Sequence, residues 1–557
     1  MMAAAWQERP SRLVFGSCNG HDHPQPLWSR IHRRNATAFV WVGDSVYGDE
    51  TGQWDWSVFP PIKRVVPATP ERLERLYRQQ RHPQHDYAQY MLNNNNNNNS
   101  SKTTTPRVFG TIDDHDYGVD NGDERYEHKK ESARLFVEEF LREQPEESLM
   151  VQRARRGDGV YGVKLLDFER PVGQEWVPDQ QAGIDPDAPN NNDGTPTTPY
   201  STTRSVAIFL LDVRSHKTPY QEKDFSRRYQ PDYGGDFLGK RQWEWFEQAI
   251  QRSRATIHIV VTGLQVHADR FPDPAIAESW ARFPTAQQRL YETTLTTATT
   301  TPTVLVSGDV HHAQLLQKDC RRTVSDDDEA TIQSLVEMTT SGMTHSWGTN
   351  LCSRPGVAGQ SSKSSSPVCG TKLFSWATTA TMTLAHQMNP WTDLVYRHKK
   401  KNNNQDSVAK EEEEEEEGKL GLQYTLQLNY GEWEIDWENQ TMTARVLGLD
   451  PDASLLTHQW TFQELRPGST TRLSFRDFDL VQKLHRLQDD QWICVNHRGA
   501  VRPAHLHLTT AVALVVVGVV WTSPLIVTLL LAKLVAKLLL PRRRSPPPSP
   551  PRVKSLE

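Results

Sequence analysis

The chain of 557 residues is long enough for roughly two to four domains and a large hydrophobic core. Its formal net charge is −6, but the seven glutamates at 411–417 alone contribute −7, so the rest of the chain sums to +1. A surface so balanced in charge does not indicate a nucleic-acid partner.

The N-terminal end lacks the apolar core of about 7–15 residues that a signal peptide needs, and a predicted strand begins almost at once. Two interpretations stay open: this end is cytosolic, or the gene model has lost a leader. Three low-complexity tracts, at 93–105, 186–203 and 399–418, are typical of disordered insertions because they cannot bury enough apolar surface to order themselves.

Six apolar segments end in polar residues that can bind a metal ion. In residues 39–49, the run FVWV predicts a strand buried on both faces, and Gly43 allows a sharp turn. Asp44, Tyr47 and Asp49 then place two carboxylates and a phenol oxygen in one loop. The other five segments are 13–15 before Cys18, 108–112 before Asp113 and Asp114, 206–211 before Asp212, 257–262 before His267, and 304–306 before Asp309 and His311.

A single Gly-Asp pair more often caps a turn than binds a metal. Six such strand ends are a different case, because ligands of open α/β sheets bind outside the carboxyl ends of the strands. We therefore expect the six ends to converge on one crevice.

Helical patterns alternate with these strands, at 69–77, 131–141 and 239–250, so the sequence predicts a layered α/β fold. Beyond residue 420 the pattern changes to alternation with a period of two, at 424–430, 432–438 and 441–449. This favours an antiparallel meander that completes or flanks the core.

Residues 508–532 are 25 residues without a charge, about 37 Å if helical, and predict a transmembrane helix. The basic residues that follow place the tail in the cytosol by the positive-inside rule, and hence the preceding chain in the lumen or outside the cell. Sequons at Asn35, Asn99 and Asn439 are compatible with that side. Cys352 and Cys369 could form a disulfide in an oxidising compartment, or could stay reduced.

Five motifs occur in order: FGSCN, VWVGDSVYGD, DDHDYG, LLDVR and SGDVH. Together they resemble the PhoD-like alkaline phosphatases of the metallophosphoesterase superfamily. The segments around Glu278, 340–347 and 431–438 are similar to the membrane-attached eukaryotic branch. The resemblance implies a layered α/β metallophosphoesterase-type β-sandwich flanked by helices over 11–465. Beyond it the sequence predicts a juxtamembrane segment 466–507, the transmembrane helix 508–532 and a basic, proline-rich tail 533–557.

The resemblance also implies the site. It assigns His115 to stabilising or protonating the leaving oxygen, and it implies iron with neighbouring calcium as the metal ions. Thiolate and phenolate ligands suit trivalent iron, which agrees with this assignment. The implied metal ligands are Cys18, Asp44, Tyr47, Asp114, Asp120, Asp309 and His311.

Some positions keep two interpretations. Asp120 departs from the family pattern, where asparagine and aspartate stand in the opposite order, so the second metal site is the weaker assignment. Arg214 binds substrate phosphate or pairs with an acid. His312 is expected to be a partly exposed neighbour of the site, and His267 and His345 are site residues or hydrogen-bonded core residues.

In such a site, metal-activated water attacks phosphorus in line while the ions neutralise the developing charge. We therefore expect a membrane-anchored metallophosphatase acting on small-molecule or lipid phosphate monoesters or diesters, with no obligate protein partner. One alternative is a phosphodiesterase for lipid head groups. Another is a catalytically weak receptor or structural protein that retains the metal-binding fold.

Overall fold

A computed structural model of the chain describes residues 11–57, 62–83, 85–92, 107–179, 183–189, 199–221, 230–268, 278–297, 301–322, 331–349, 424–466, 475–488 and 490–496, with isolated positions beyond. No helix in these ranges is long and apolar enough to cross a membrane. The predicted span 508–532 lies almost entirely outside the described residues, as do Asn99, Cys352 and Cys369.

The strands of the described part are β1 (Ser11–Gly16), β2 (Ala38–Val42), β3 (Glu50–Asp55), β4 (Ile62–Val66), β5 (Arg107–Thr111), β6 (Gly162–Asp167), β7 (Trp176–Val177), β8 (Ser205–Leu211), β9 (Ile257–Thr262), β10 (Thr303–Ser307), β11 (Ala313–Arg322), β12 (Thr331–Thr339), β13 (Tyr424–Thr425), β14 (Tyr430–Asp436), β15 (Thr441–Leu447), β16 (Ser454–Thr461) and β17 (Ile493–Asn496).

The helices are α1 (Trp28–Arg34), α2 (Pro70–Gln80), α3 (Asp86–Leu92), α4 (Asp114–Tyr117), α5 (Lys129–Arg134), α6 (Leu149–Arg156), α7 (Gly239–Arg252), α8 (Pro284–Thr297) and α9 (Phe475–His485). A π-helical segment, Leu135–Phe140, continues α5.

Two large sheets carry the fold. One has the order β16-β15-β14-β1-β2-β5, in which β1, β2 and β5 are parallel, β14 and β15 are strands of the predicted meander beside β1, and β16 extends the meander by a strand that was not predicted. The other runs β13-β11-β12-β10-β9-β8-β6-β7, with β17 added to β11, and its centre β8-β9-β10-β12 is parallel. The six predicted strands therefore divide three and three between two sheets.

The sheets share one hydrophobic core. Val206, Ile208 and Leu210 of β8 belong to a buried cluster with residues of β1 and β2, whereas the alternate residues Ala207 and Phe209 pack in a second cluster with residues of α7. Because side chains alternate across a strand, β8 is buried on both faces, and its continuous apolar run follows from this position. The structure is thus a mixed α/β fold of sheets flanked by helices.

Helix signals in the sequence are confirmed locally. The Thr69 side chain accepts a hydrogen bond from the Arg72 N–H (3.3 Å) at the start of α2, and Pro70 occupies the first turn, where its missing N–H is not needed. The segment 424–430 differs from the prediction, because only Tyr424–Thr425 is a strand before β14 begins at Tyr430.

A disulfide joins Cys320 of β11 to Cys494 of β17, with a Cα–Cα distance of 4.0 Å. The two residues are directly paired across the antiparallel strands, and both are buried. This pairing was not predicted from the sequence, which gave no reason to bring two cysteines 174 residues apart together.

Candidate metal centre

The carboxyl ends of β1, β2 and β5 meet those of β8, β9 and β10. Two glycines make the approach close enough. A Cβ on Gly43 (φ +89°) would lie 2.3 Å from the Asp113 Cβ, and one on Gly308 would lie 2.7 Å from the Val42 carbonyl oxygen. Either contact would push the strand ends apart, so the predicted single crevice depends on glycine at both positions.

Carboxylates from both sheets converge there. Asp44, Asp114 and His115 each offer a ligand atom within 4.8 Å of one another, and so do Asp113, Asp114 and Asp309. Asp114 therefore belongs to two overlapping groups. Such a pair of groups with a common carboxylate can hold two neighbouring cations.

Cys18 and Tyr47 lie beside the first group. The Cys18 Sγ is 3.4 Å from Asp44 Oδ2 and 2.9 Å from Ser341 Oγ. Burial raises the pKa of the Cys18 thiol, and burial followed by the nearby Cys18 and Asp44 raises the pKa of Tyr47 well above its ordinary value. The buried Tyr47 hydroxyl has no hydrogen-bond partner of ordinary geometry in the described part of the chain. A metal ion would favour both anions and satisfy this oxygen.

His311 approaches from the end of β10. Burial lowers its pKa to about 4, so its imidazole is neutral, as a metal ligand must be. Its Nδ1 is buried without a partner among the described residues. The His345 ring lies 4.6 Å from the His311 ring and 5.0 Å from the Tyr47 ring, which places His345 at the edge of the site.

Backbone strain is concentrated at these positions. Cys18, Asp44, Asp309 and His311 have φ values of 57°, 52°, 69° and 53° and belong to the nine non-glycine residues of the described part with positive φ. A left-handed conformation costs about 1–3 kcal/mol at a residue with a side chain. Four of the predicted metal ligands carry this cost, which is typical of a functional site rather than of turns chosen for stability.

The charge of the site is unbalanced. Asp44 and Asp309 have no ion pair within the described residues, and burial together with neighbouring anions raises the pKa of each well above its usual range. Buried carboxylates are normally paired or bound to metal. The donors present, which are carboxylates, a thiol, a phenol and a neutral imidazole, therefore fit metal ions.

His115 is held by Asp49. The His115 Nδ1 lies 2.6 Å from Asp49 Oδ1, and its ring lies 4.0 Å from the Tyr47 ring. Burial alone would lower the pKa of His115, but Asp49 and Asp114 raise it well above its ordinary value. The imidazole can therefore carry a proton at neutral pH.

Arg214 lies beneath the site and is completely buried. Its Nε donates to Asp113 Oδ1 (2.5 Å), its Nη1 donates to Glu278, and its Nη2 lies 4.0 Å from Asp114 Oδ1. Of the two interpretations from the sequence, this geometry favours pairing with acids. Contact of Arg214 with substrate phosphate stays a prediction.

The remaining predicted residues differ in position. Asp120 belongs to neither carboxylate group, and it is the Asn121 N–H that donates to Asp114 Oδ2 (2.8 Å). His312 is buried rather than partly exposed, with its Nδ1 2.8 Å from the Val310 carbonyl oxygen. His267 is a buried core residue, and its Nε2–H donates a hydrogen bond to the Leu335 carbonyl oxygen (3.0 Å).

Two acids of the site were absent from the predicted ligands. Asp113 directly follows the predicted apolar segment 108–112, so the signal of the strand end was sufficient to find it. Glu278 follows no strand, and the resemblance of the segment around it to the membrane-attached eukaryotic branch assigned it no role.

Comparison with known proteins supports one part of the sequence interpretation. Residues 174–368, about a third of the chain, match the family model "PhoD-like phosphatase". No curated protein matches the chain. A solved structure titled "Structure of PhoD" aligns at a TM-score of 0.38 and 12% identity, covering 85% of this chain and 74% of that chain. The chain thus carries a PhoD-like phosphatase match over the region that contains Arg214, Glu278, Asp309 and His311.

Proposed function

We propose that the chain is a metal-dependent phosphoester hydrolase of the PhoD-like type. The observation that carries the proposal is the pair of carboxylate groups that share Asp114 where the strand ends meet. The family match over 174–368 supports the reaction class independently of this geometry.

The metal-binding residues divide into two sets. Cys18, Tyr47, Asp44 and His311 would hold one ion, iron by our proposal. Asp113, Asp114 and Asp309 would hold calcium beside it, and Asp114 belongs to both ligand groups. When bound, the ions would supply the positive charge that activates water and neutralises the phosphoryl oxygens.

His115 would act on the leaving group. Its side chain is partly exposed while its Nδ1 is held by Asp49, so Nε2 is the nitrogen left to meet a substrate oxygen. A raised pKa keeps a proton available for transfer to the departing alkoxide.

We further propose that the enzyme belongs to the membrane-attached eukaryotic branch and that residues 508–532 anchor it. The sequence supports this through the uncharged stretch and the basic tail. The buried Cys320–Cys494 disulfide supports a lumenal or extracellular catalytic domain, since such bonds persist in oxidising compartments.

Metal analysis of the purified full chain, combined with turnover of nitrophenyl phosphate and bis-nitrophenyl phosphate, tests the proposal. We expect bound iron, visible charge-transfer absorption from the Tyr47 or Cys18 ligand, and turnover that chelation abolishes and metal restores. Colourless active protein containing only zinc would contradict the iron assignment. Turnover that survives complete metal removal would contradict metal dependence itself.

A further inference from the structure

Glu278 is the centre of a buried ion-pair network beneath the candidate metal centre. One carboxylate oxygen, Oε2, accepts from Arg214 Nη1, and the other, Oε1, accepts from Lys217 Nζ. The three side chains have no solvent exposure. Glu278 thus satisfies two cations that would otherwise be buried with fewer partners.

Each cation leads to a different carboxylate of the site. Arg214 Nε donates directly to Asp113 Oδ1 (2.5 Å). Lys217 Nζ donates to the Asn121 carbonyl oxygen (2.8 Å), and the Asn121 N–H donates in turn to Asp114 Oδ2 (2.8 Å). One glutamate therefore connects by two separate paths to the two aspartates that follow β5.

The loop that carries both cations is itself rigid. Asp212, at the end of β8, accepts hydrogen bonds from the N–H groups of Arg214 and Ser215 (2.9 Å each), while its other oxygen accepts from the Val160 N–H (2.7 Å). A fixed loop and a fixed carboxylate leave Arg214 and Lys217 little freedom. Their contacts can therefore hold Asp113 and Asp114 in one orientation.

We infer that Glu278 is a positioning residue that orients Asp113 and Asp114 for metal binding through Arg214 and Lys217. The inference rests on the proposed metal-dependent function. Replacing a residue that orients a metal ligand without binding the metal itself commonly changes metal affinity about 10–100-fold. A purely structural role would instead change stability alone.

Mn²⁺ binding to the metal-depleted full chain tests this, with the free ion measured by electron paramagnetic resonance. We expect Glu278→Gln to weaken Mn²⁺ binding about 10–100-fold. The matched control is Glu143→Gln, because the Glu143 carboxylate accepts from the buried Lys164 Nζ (3.0 Å) in a network outside the site. This control is expected to lower the melting temperature and to bind Mn²⁺ as the parent does.

The variant Lys217→Met distinguishes an effect on ligand orientation from an effect of charge on Mn²⁺ binding. It also tests the inference if Glu278→Gln does not fold. Loss of a buried cation near the site would strengthen Mn²⁺ binding if charge alone mattered. If position matters, losing the path to Asn121 weakens binding, and we expect this result. Tighter or unchanged binding in Lys217→Met overturns the inference.

Two further results also decide the matter. Parent-like affinity in Glu278→Gln, or an equal loss of affinity in Glu143→Gln, overturns the positioning role while the parent's own metal binding stands. Failure of the parent chain to bind Mn²⁺ overturns the proposed function first, and the positioning role with it.

Discussion

At the scale of single residues, Asp44 and Asp309 are in an unfavourable environment, because burial and neighbouring anions raise the pKa of both and neither has a paired cation among the described residues. We expect Asp44→Asn and Asp309→Asn each to lower turnover by at least about 100-fold, since loss of a direct ligand exceeds the effect of a supporting residue. Without metal, each variant should be as stable as the metal-free parent or more stable, because asparagine replaces a carboxyl group whose ionisation the folded site disfavours.

Turnover and the melting temperature with and without chelator check this pair of effects. Asp452→Asn, in an exposed turn, is the control and should change neither quantity. Full activity in either site variant would show that the site is misplaced.

His115 allows a prediction about substrates. If its proton goes to the leaving oxygen, His115→Ala should slow alkyl phosphoesters by about 10²–10⁴-fold, whereas nitrophenyl esters, whose leaving group needs no proton, should lose much less. The comparison of the two rate ratios measures this. Equal losses on both substrates would argue against protonation by His115.

Asp120 gives a prediction about pH. Burial, followed by the charge of Asp114, raises the pKa of Asp120 to about 7 in the folded protein. Between pH 4 and 7 the folded state then holds a proton that the unfolded state has lost, so this group stabilises the fold at low pH and the contribution fades as pH rises to 7. The metal-free Asp120→Asn variant should therefore gain stability relative to the parent as pH rises through this window.

Denaturant titrations of the metal-free parent and Asp120→Asn at pH 5 and pH 7.5 measure the difference in unfolding free energy at each pH. A difference in unfolding free energy that stays constant with pH would mean that Asp120 titrates normally in the folded chain.

At the scale of secondary-structure elements, the disulfide Cys320–Cys494 links β17 covalently to β11 of the sheet that contains β8–β12. Removing a native disulfide commonly costs about 2–5 kcal/mol of folding free energy. We expect the double variant Cys320→Ser and Cys494→Ser to lose a comparable amount in denaturant titration. Its metal content should not change, because Cys320 lies on β11 well past the end that faces His311.

Most of the buried strands could be predicted from the sequence, and the reason is physical. Strands such as β2 and β9 are buried on both faces, so their apolar runs are continuous and their ends are sharp. β16 was not predicted, because only a few of its residues are buried and it has no continuous apolar run.

What local pattern could not supply was pairing over long distances. The division of six parallel strands between two sheets depends on contacts such as the bond from Thr111 Oγ1 to the Leu211 carbonyl oxygen (2.9 Å), which joins residues 100 apart. The same limit applies to Cys320–Cys494 and to Glu278, whose roles depend on partners that no spacing in the sequence connects.

At the scale of the whole molecule, the two described sequons share one end of the fold. Asn35 is exposed at the end of α1, just before β2 begins, and Asn439 is exposed in the turn between β14 and β15. Because β14 is antiparallel to β1, with Ile435 opposite Ser11, this turn lies at the amino end of β1. Both sequons are therefore opposite the carboxyl ends where the metal centre lies, and glycans there would leave the site open.

If the catalytic domain is lumenal, as we propose, we expect both asparagines to be glycosylated. Deglycosylation of the full chain from its native membrane should increase its electrophoretic mobility, and Asn35→Gln and Asn439→Gln should each remove part of that shift. In sealed vesicles the catalytic domain should resist protease until detergent is added, while the tail beyond 532 is cut. Digestion of the domain without detergent and survival of the tail would reverse the topology, since the basic tail and the sequons would then lie on the wrong sides.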